Sequence, residues 1–283
     1  MTATMTDTEL PTEQPTERPA AQSALPSAAR LARTLAVTSG KGGVGKTFVS
    51  ANLACALTRQ GLKVLVLDAD LGLANLDVVL NLYPKITLHD VFTGKASLDE
   101  AILPAPGGFS VLLAGSGLVE YSRLTPEVRE QLLDIISKVS PRFDVLLLDT
   151  GAGISDVVLF ALSLAHEVIV VATPEPTSMT DAYATIKVLA SQQGREQLHL
   201  VVNQVARSGE GRAICQQLQQ VVGRFVKTAS GVVPQLNFVG DIPQDPNVRE
   251  SVQRRSLLME LMPGSKAAQS VMQIATKLQN RGS

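Results

Sequence analysis

The chain has 283 residues, 45% of them hydrophobic and 18% charged, with a formal net charge of −1. That length suffices for one large α/β domain with a sizeable core, and the near-neutral balance excludes a global basic field for nucleic acid. The charge is nonetheless uneven. From residue 198 onward ten basic residues face five acidic ones, so the last third carries +5 and the remainder −6; a basic face for an acidic partner and a plain solvated surface both fit. Two cysteines, Cys55 and Cys215, occur without a Cys-x-x-Cys spacing. That sets aside an iron–sulfur carrier and suits reduced thiols in a cytoplasmic protein. Neither a signal-peptide core nor an apolar run approaching a membrane span is legible, so the expected location is the cytoplasm.

In chain order, residues 1–27 are rich in Thr, Pro, Glu, Ala and Gln, a composition that cannot offset the entropy of ordering. A disordered tail over 1–33 is expected, with residues 28–33 open to a short helix or a linker. An apolar run (Leu35, Ala36, Val37) then leads into Gly40, Lys41, Gly42, Gly43, Val44, Gly45, Lys46 and Thr47, and a helical pattern follows through Phe48, Val49, Leu53, Ala54 and Leu57. Strand, glycine-rich loop and helix N-terminus together form the context of a phosphate-binding loop. Glycines let backbone N–H groups turn inward on a polyphosphate, the helix end adds partial positive charge, and Lys46 supplies a full charge to the β and γ phosphates. Thr47 is placed to ligate Mg²⁺.

Gly61 ends that helix, and residues 63–67 read as a second buried strand delivering Asp68 and Asp70 at its carboxyl end, where open parallel sheets place ligands. Asp68 suits Mg²⁺ held through water, and Asp70 suits orientation of an attacking water. Two short helices are expected within residues 82–103 and a strand over 109–114. Thr125 caps a helix that carries Pro126 in its first turn and runs to about Val139. Residues 143–148 form a strand ending in Asp149, the pattern of a carboxylate that binds the Mg²⁺ shell. Thr150, Gly151, Ala152, Gly153 and Ile154 follow as a segment whose small residues allow close approach to a γ-phosphate and movement when it leaves. Strands are expected over 167–172 and 198–202, a helix capped near Thr177 or Ser178, a last strand ending near Gly240, and a final helix over 265–279 with Ala268, Val271, Met272, Ala275 and Leu278 on one side.

The second lysine narrows this reading. Lys-Gly-Gly-Val-Gly-Lys-Thr, beginning at Lys41, resembles the deviant Walker A loop of the MinD and ParA ATPases; Phe48 departs from the second Thr of many relatives. Leu71-Gly72-Leu73-Ala74-Asn75-Leu76-Asp77 resembles the switch I segment of the MinD branch rather than that of ParA proper. With residues 173–183 (Thr-Pro-Glu-Pro-Thr-Ser-Met-Thr-Asp-Ala-Tyr), it resembles the flagellar members of the MinD group, which regulate flagellum number and site. The resemblance implies that ATP and Mg²⁺ close two copies of the chain, that Lys41 of each copy reaches the other's phosphates, and that Asn75 lies on the dimer face. It further implies that Asn203 helps hold adenine while Pro243 packs on the ring, and that hydrolysis is slow without a partner.

The expectation is therefore a doubly wound, mainly parallel α/β domain over residues 34–283, a P-loop ATPase of the MinD type. Its catalytic residues are Lys41, Lys46 and Asp70, its nucleotide contacts run from Gly40 to Phe48 with Asn203 and Pro243, and its metal residues are Thr47, Asp68 and Asp149. The implied partners are a second copy of the chain, a flagellar signal-recognition-type GTPase, a flagellar transcription regulator and a switch-complex protein. The segment that would engage the GTPase is poorly matched at residues 22–30. A membrane surface at the inner face of the cell membrane is weakly supported, because the terminal stretch lacks Phe and Trp and carries only three basic residues. Septum-site selection, DNA or cargo partition, and a small-molecule ligase of the dethiobiotin or cobyrinate type are the competing classes, with DNA disfavoured by switch I.

Overall fold

The computed structural model describes residues 1–2, 31–71, 75–115 and 124–281. The expected tail and the centre of switch I, residues 72–74, lie outside or almost wholly outside them. Residues from Leu31 onward form one compact unit. Leu31 and Ala32 are not helical, and the first strand already begins at Arg33.

The elements are β1 (Arg33–Ser39), α1 (Lys46–Arg59), β2 (Val64–Ala69), α2 (Leu76–Leu80), α3 (Leu88–Phe92), α4 (Leu98–Ala101), β3 (Ile102–Pro104), β4 (Ser110–Leu112), α5 (Pro126–Val139) and β5 (Val145–Ala152). After them come α6 (Asp156–Ser163), β6 (Glu167–Ala172), α7 (Pro176–Gln193), β7 (Gln197–Val205), α8 (Glu210–Phe225), β8 (Gln235–Pro243), α9 (Pro246–Gln253), α10 (Leu258–Leu261) and α11 (Lys266–Arg281). Among the described residues, eight strands form one sheet in the order β3-β4-β2-β5-β1-β6-β7-β8. Every pairing is parallel except β3 with β4. Central strands such as β2 and β6 are buried along nearly their whole length, as expected of strands covered on both faces. Alternate residues of each strand feed two separate cores. One holds Leu65, Leu146 and Leu148 under α5, α6, α7 and α8; the other holds Val66, Leu147 and Val201 under α1 and α11.

The expected helix through residue 103 stops at Ala101, and Ile102–Pro104 runs as an antiparallel edge strand against β4. Pro104 biases Leu103 toward extended backbone, and proline is tolerated on an edge because it has no N–H to pair. The opposite edge, β8, is guarded by a side chain. Gln219 of α8 accepts from Leu236 N at 2.6 Å and donates to Pro234 O at 3.1 Å, so its amide satisfies edge groups that would otherwise invite a foreign strand.

At the sheet's amino end Arg33 forks onto Glu167 at 2.5 and 2.7 Å and donates to Leu278 O at 2.6 Å. Glu167 also meets His199 Nε2 at 2.6 Å. This network ties β1, β6 and β7 to the last turn of α11, whose apolar residues Ala268, Val271, Ala275 and Leu278 are all buried. No helix among the described residues is long and apolar enough to cross a membrane.

Burial alone would raise Glu167, but the His199 and Arg33 hydrogen bonds and charges outweigh it and hold its carboxyl at about 2, against an ordinary 4.5. A carboxylate with a lowered native pKa stabilises the fold above its unfolded pKa, and that contribution is lost as pH falls toward the native value. Glu167→Gln should therefore be less stable than the parent in urea unfolding at pH 6, and the gap should shrink steadily as pH is lowered below 4.5.

Candidate functional site

The carboxyl ends of β1, β2 and β5 meet because β5 lies between the other two. That register sets Asp149 beside Val37 on one side and beside Asp68 on the other. The loop leaving β1 therefore arches next to two carboxylates. Gly45 closes the loop with φ 94° as the N-cap of α1 and offers no side-chain cap, so the first-turn N–H groups of α1 are left to a ligand. A side chain at Gly45 would collide with the Asn203 amide, and one at Gly40 with the backbone of Asp181 on α7.

Asp68 and Asp149 are 1% and 3% exposed. Burial first, and then the neighbouring Asp149, push Asp68 well above the usual carboxylate range. Its Oδ1 accepts from Asp70 N at 3.2 Å, while its buried Oδ2 has no hydrogen-bond partner. Burial also raises Asp149, to about 6, against the pull of hydroxyls from Ser50 and Thr47 and of the Lys46 charge. An unpartnered buried carboxylate oxygen beside a second carboxylate and a threonine hydroxyl is a hard, all-oxygen donor set. Such a set suits Mg²⁺, which takes one or two carboxylates and completes its shell with water and phosphate. Among the described residues no group of three His, Cys, Asp or Glu side chains forms a fuller cage.

Residues 150–154 are tied to the loop's own strand. Thr150 Oγ1 donates to Val37 O at 3.0 Å, and Gly153 N donates to Ser39 O at 2.8 Å. A Cβ on Gly151 would lie 3.3 Å from Asp70 Oδ1, so Asp70 and this segment are immediate neighbours. Lys41 leaves the loop on another course. Its Nζ donates to Glu175 Oε2 at 2.9 Å and Thr177 Oγ1 at 3.0 Å on the first turn of its own chain's α7. Helix α7 starts at Pro176 with Glu175 as its N-cap, so Thr177 and Ser178 lie just inside the cap, and Ser178 Oγ accepts from Thr173 N at 2.9 Å.

Beyond the loop a cleft of about 610 Å³ is lined by Gly45, Phe48, Asn203, Pro243, Val248 and Val252, among others. Asn203 donates to Val44 O at 2.8 Å and accepts from Gln204 N at 2.9 Å, which leaves one N–H and one lone pair for a ligand. It is aimed by an irregularity in β7 at which Gln204 has φ 60°, a conformation uncommon outside glycine and concentrated at binding sites. Asp245 caps α9 through Asn247 N and also accepts from Ala267 N at the start of α11, bracing the cleft wall. Lys46, Thr47, Asp68, Asp70 and Asp149 thus cluster, Asn203 and Pro243 share the adjacent cleft with Phe48, and Lys41 stands apart. Sequence reasoning missed Ser50, Glu175 and Gln204; of these only Ser50, three residues after Thr47 on a helix, had a local signal.

Loop, helix end and paired strand-end acids on a doubly wound sheet define a P-loop nucleotide-binding protein. The family model described as ParA, NUBPL iron-transfer P-loop NTPase, matches residues 30–279. The chain is 43% identical over 246 residues to antiactivator FleN of Pseudomonas aeruginosa, spanning 87% of this chain and 86% of that one. It is 35% identical over 243 residues to the flagellum site-determining protein YlxH of Helicobacter pylori, spanning 85% and 80%. The structure of the septum site-determining protein MinD complexed with Mg-ADP, from Pyrococcus horikoshii, is similar with a TM-score of 0.73 and 29% identity, over 89% of this chain and 98% of that one. The chain belongs to the MinD/ParA family of P-loop NTPases.

A buried carboxylate with a raised native pKa binds its proton more tightly when folded, so stability is lost as pH rises from the unfolded pKa through the native one. The shift at Asp149 from 3.8 to about 6 corresponds to a penalty on the order of 3 kcal/mol. Ligand-free Asp149→Asn should accordingly be more stable than the parent at pH 8 by about that much in denaturant unfolding, with the gap closing between about pH 6 and 4.

Proposed function

We propose that the chain is an ATP-hydrolysing, nucleotide-switched dimer of the flagellar branch, regulating flagellum number or placement and flagellar gene expression. The flagellar assignment is supported by the likeness to FleN and YlxH over most of the chain. The observation that carries the switch is that one loop presents two lysines on different courses. Lys46 lies close enough to lower the Asp149 pKa, whereas Lys41 rests outside on α7.

The Lys41–Glu175 pair is exposed on both sides, and such pairs contribute about 0–1 kcal/mol. Lys41 is thus held lightly enough to be transferred to a second copy's triphosphate. In the closed pair Gly42, Gly43, Val44 and Gly45 offer N–H groups to the phosphates, and Lys46 neutralises the β and γ oxygens. Phe48, Asn203 and Pro243 bound the base. Thr47, Asp68 and Asp149 hold Mg²⁺, which would neutralise charge on the transferred group. Asp70 orients the attacking water, and Lys41 from the twin stabilises the negative charge on the transferred phosphoryl group. Closure gated by two active sites makes turnover slow until a partner favours it. The partners consistent with this are a flagellar GTPase, a transcription regulator or a switch-complex protein. In α11 the apolar residues Ala268, Val271, Ala275 and Leu278 are buried in the core, which supports a cytoplasmic reading over a lipid-bound one.

Asp70→Ala should lower ATP turnover by about 10²-fold or more while ATP still drives a stable dimer in light scattering. An ATP-bound D70A protein that stays monomeric would contradict the switch. ATP-dependent, salt-sensitive DNA pelleting would instead favour a partition role.

A further inference from the structure

Ser50 has a place in the site that its sequence position barely hints at. It lies on α1 three residues beyond Thr47 and four beyond Lys46, so the three share one side of the helix. Its side chain is fully buried, and its hydroxyl donates to Asp149 Oδ1 at 2.7 Å. A serine within a helix ordinarily turns its proton to the carbonyl four residues back or to water. Here that single proton goes to a carboxylate on a strand that follows 99 residues later.

Thr47 also hydrogen-bonds Asp149, but Thr47 is itself one of the oxygens assigned to the cation and must serve two groups. Ser50 serves Asp149 alone. Beside them Asp68 Oδ1 accepts from Asp70 N, and the unpartnered Asp68 Oδ2 is the oxygen of the carboxylate pair that remains available.

We propose that Ser50 is a positioning residue for the metal: its hydroxyl fixes Asp149 so that Asp149, Asp68 and Thr47 already form one oxygen-lined Mg²⁺ site before nucleotide arrives. The proposal deepens, and rests on, the reading of the loop as an Mg²⁺–ATP site. Ser50 touches neither the nucleotide nor the cation. Its removal should weaken the response to metal and spare the grip of the loop on phosphate, because partners that orient a ligand typically contribute ten- to a hundredfold to metal affinity.

The test is a titration of the full chain with a fluorescent ATP analogue, first in EDTA and then with increasing Mg²⁺, for the parent, Ser50→Ala and Ser50→Thr. Ser50→Ala should bind the analogue in EDTA as the parent does but require about ten- to a hundredfold more Mg²⁺ for half of the metal-dependent gain. Ser50→Thr, which keeps the hydroxyl, should need about the parent's Mg²⁺ concentration. If circular dichroism shows Ser50→Ala unfolded, Ser50→Cys keeps the volume with a weaker donor, and it too should need more Mg²⁺ than the parent. An unchanged Mg²⁺ midpoint in the folded variant, or an equal loss of binding with and without metal, would overturn the positioning role alone. A parent that ignores the analogue under both conditions would overturn the nucleotide site along with it.

Discussion

Two carboxylates side by side on neighbouring strands, both nearly sealed from solvent, are an expensive thing for a protein to keep. Asp68 and Asp149 occupy paired positions of β2 and β5, where burial and mutual repulsion both favour the neutral form. What makes the arrangement tolerable is the positive potential opposite: the open N-terminus of α1, Lys46 and the hydroxyls of Thr47 and Ser50. A divalent cation and a polyphosphate complete that balance, the cation meeting the acids and the phosphates meeting the amides and the lysine. The stability given up at this rim is recovered only when the ligand is present, as is usual where function and folding compete for the same residues.

The rest of the molecule serves to bring these groups together. Right-handed crossovers deliver the carboxyl ends of the parallel strands to one rim, and the strand order puts β5 between the strands that carry the loop and Asp68. The opposite rim carries a different polar system, in which Glu167 pairs with both Arg33 and His199 and α11 is fastened by its last turn. Between the rims the sheet is apolar on both faces. Charge is thus segregated: oppositely charged groups paired at one end support the fold, and two adjacent acids facing a helix N-terminus and a lysine at the other end suit a ligand.

Much of this was legible in the residues because the chemistry is local. The loop is contiguous, its strand and helix flank it directly, and Asp68 and Asp149 announce themselves as acids ending apolar runs. Helix α5 was legible to the residue because Thr125 and Pro126 are a cap and a first-turn proline. What escaped depends on distance along the chain. Lys41 meets Glu175 across 134 residues and Asn203 meets Val44 across 159, and no periodicity encodes such pairs. Ile102 and Leu103 read as helix from the sequence because their apolar spacing fits either state, and pairing with β4 decides for strand. The strained Gln204 is a tertiary choice of the same kind, made where β7 and β8 slip register.

A site shared between two copies differs from a self-contained one in which lysine belongs to which chain, and this can be measured by mixing. Lys41→Ala and Lys46→Ala proteins should each hydrolyse little ATP alone. A mixed pair has one complete site, on the Lys41→Ala chain, which keeps its own Lys46 and borrows Lys41 from its companion. The account predicts that combining the two inactive proteins restores ATP turnover, rising with the fraction of mixed pairs. A mixture as inactive as its components, or a Lys41→Ala protein that turns over at the parent rate, would contradict it.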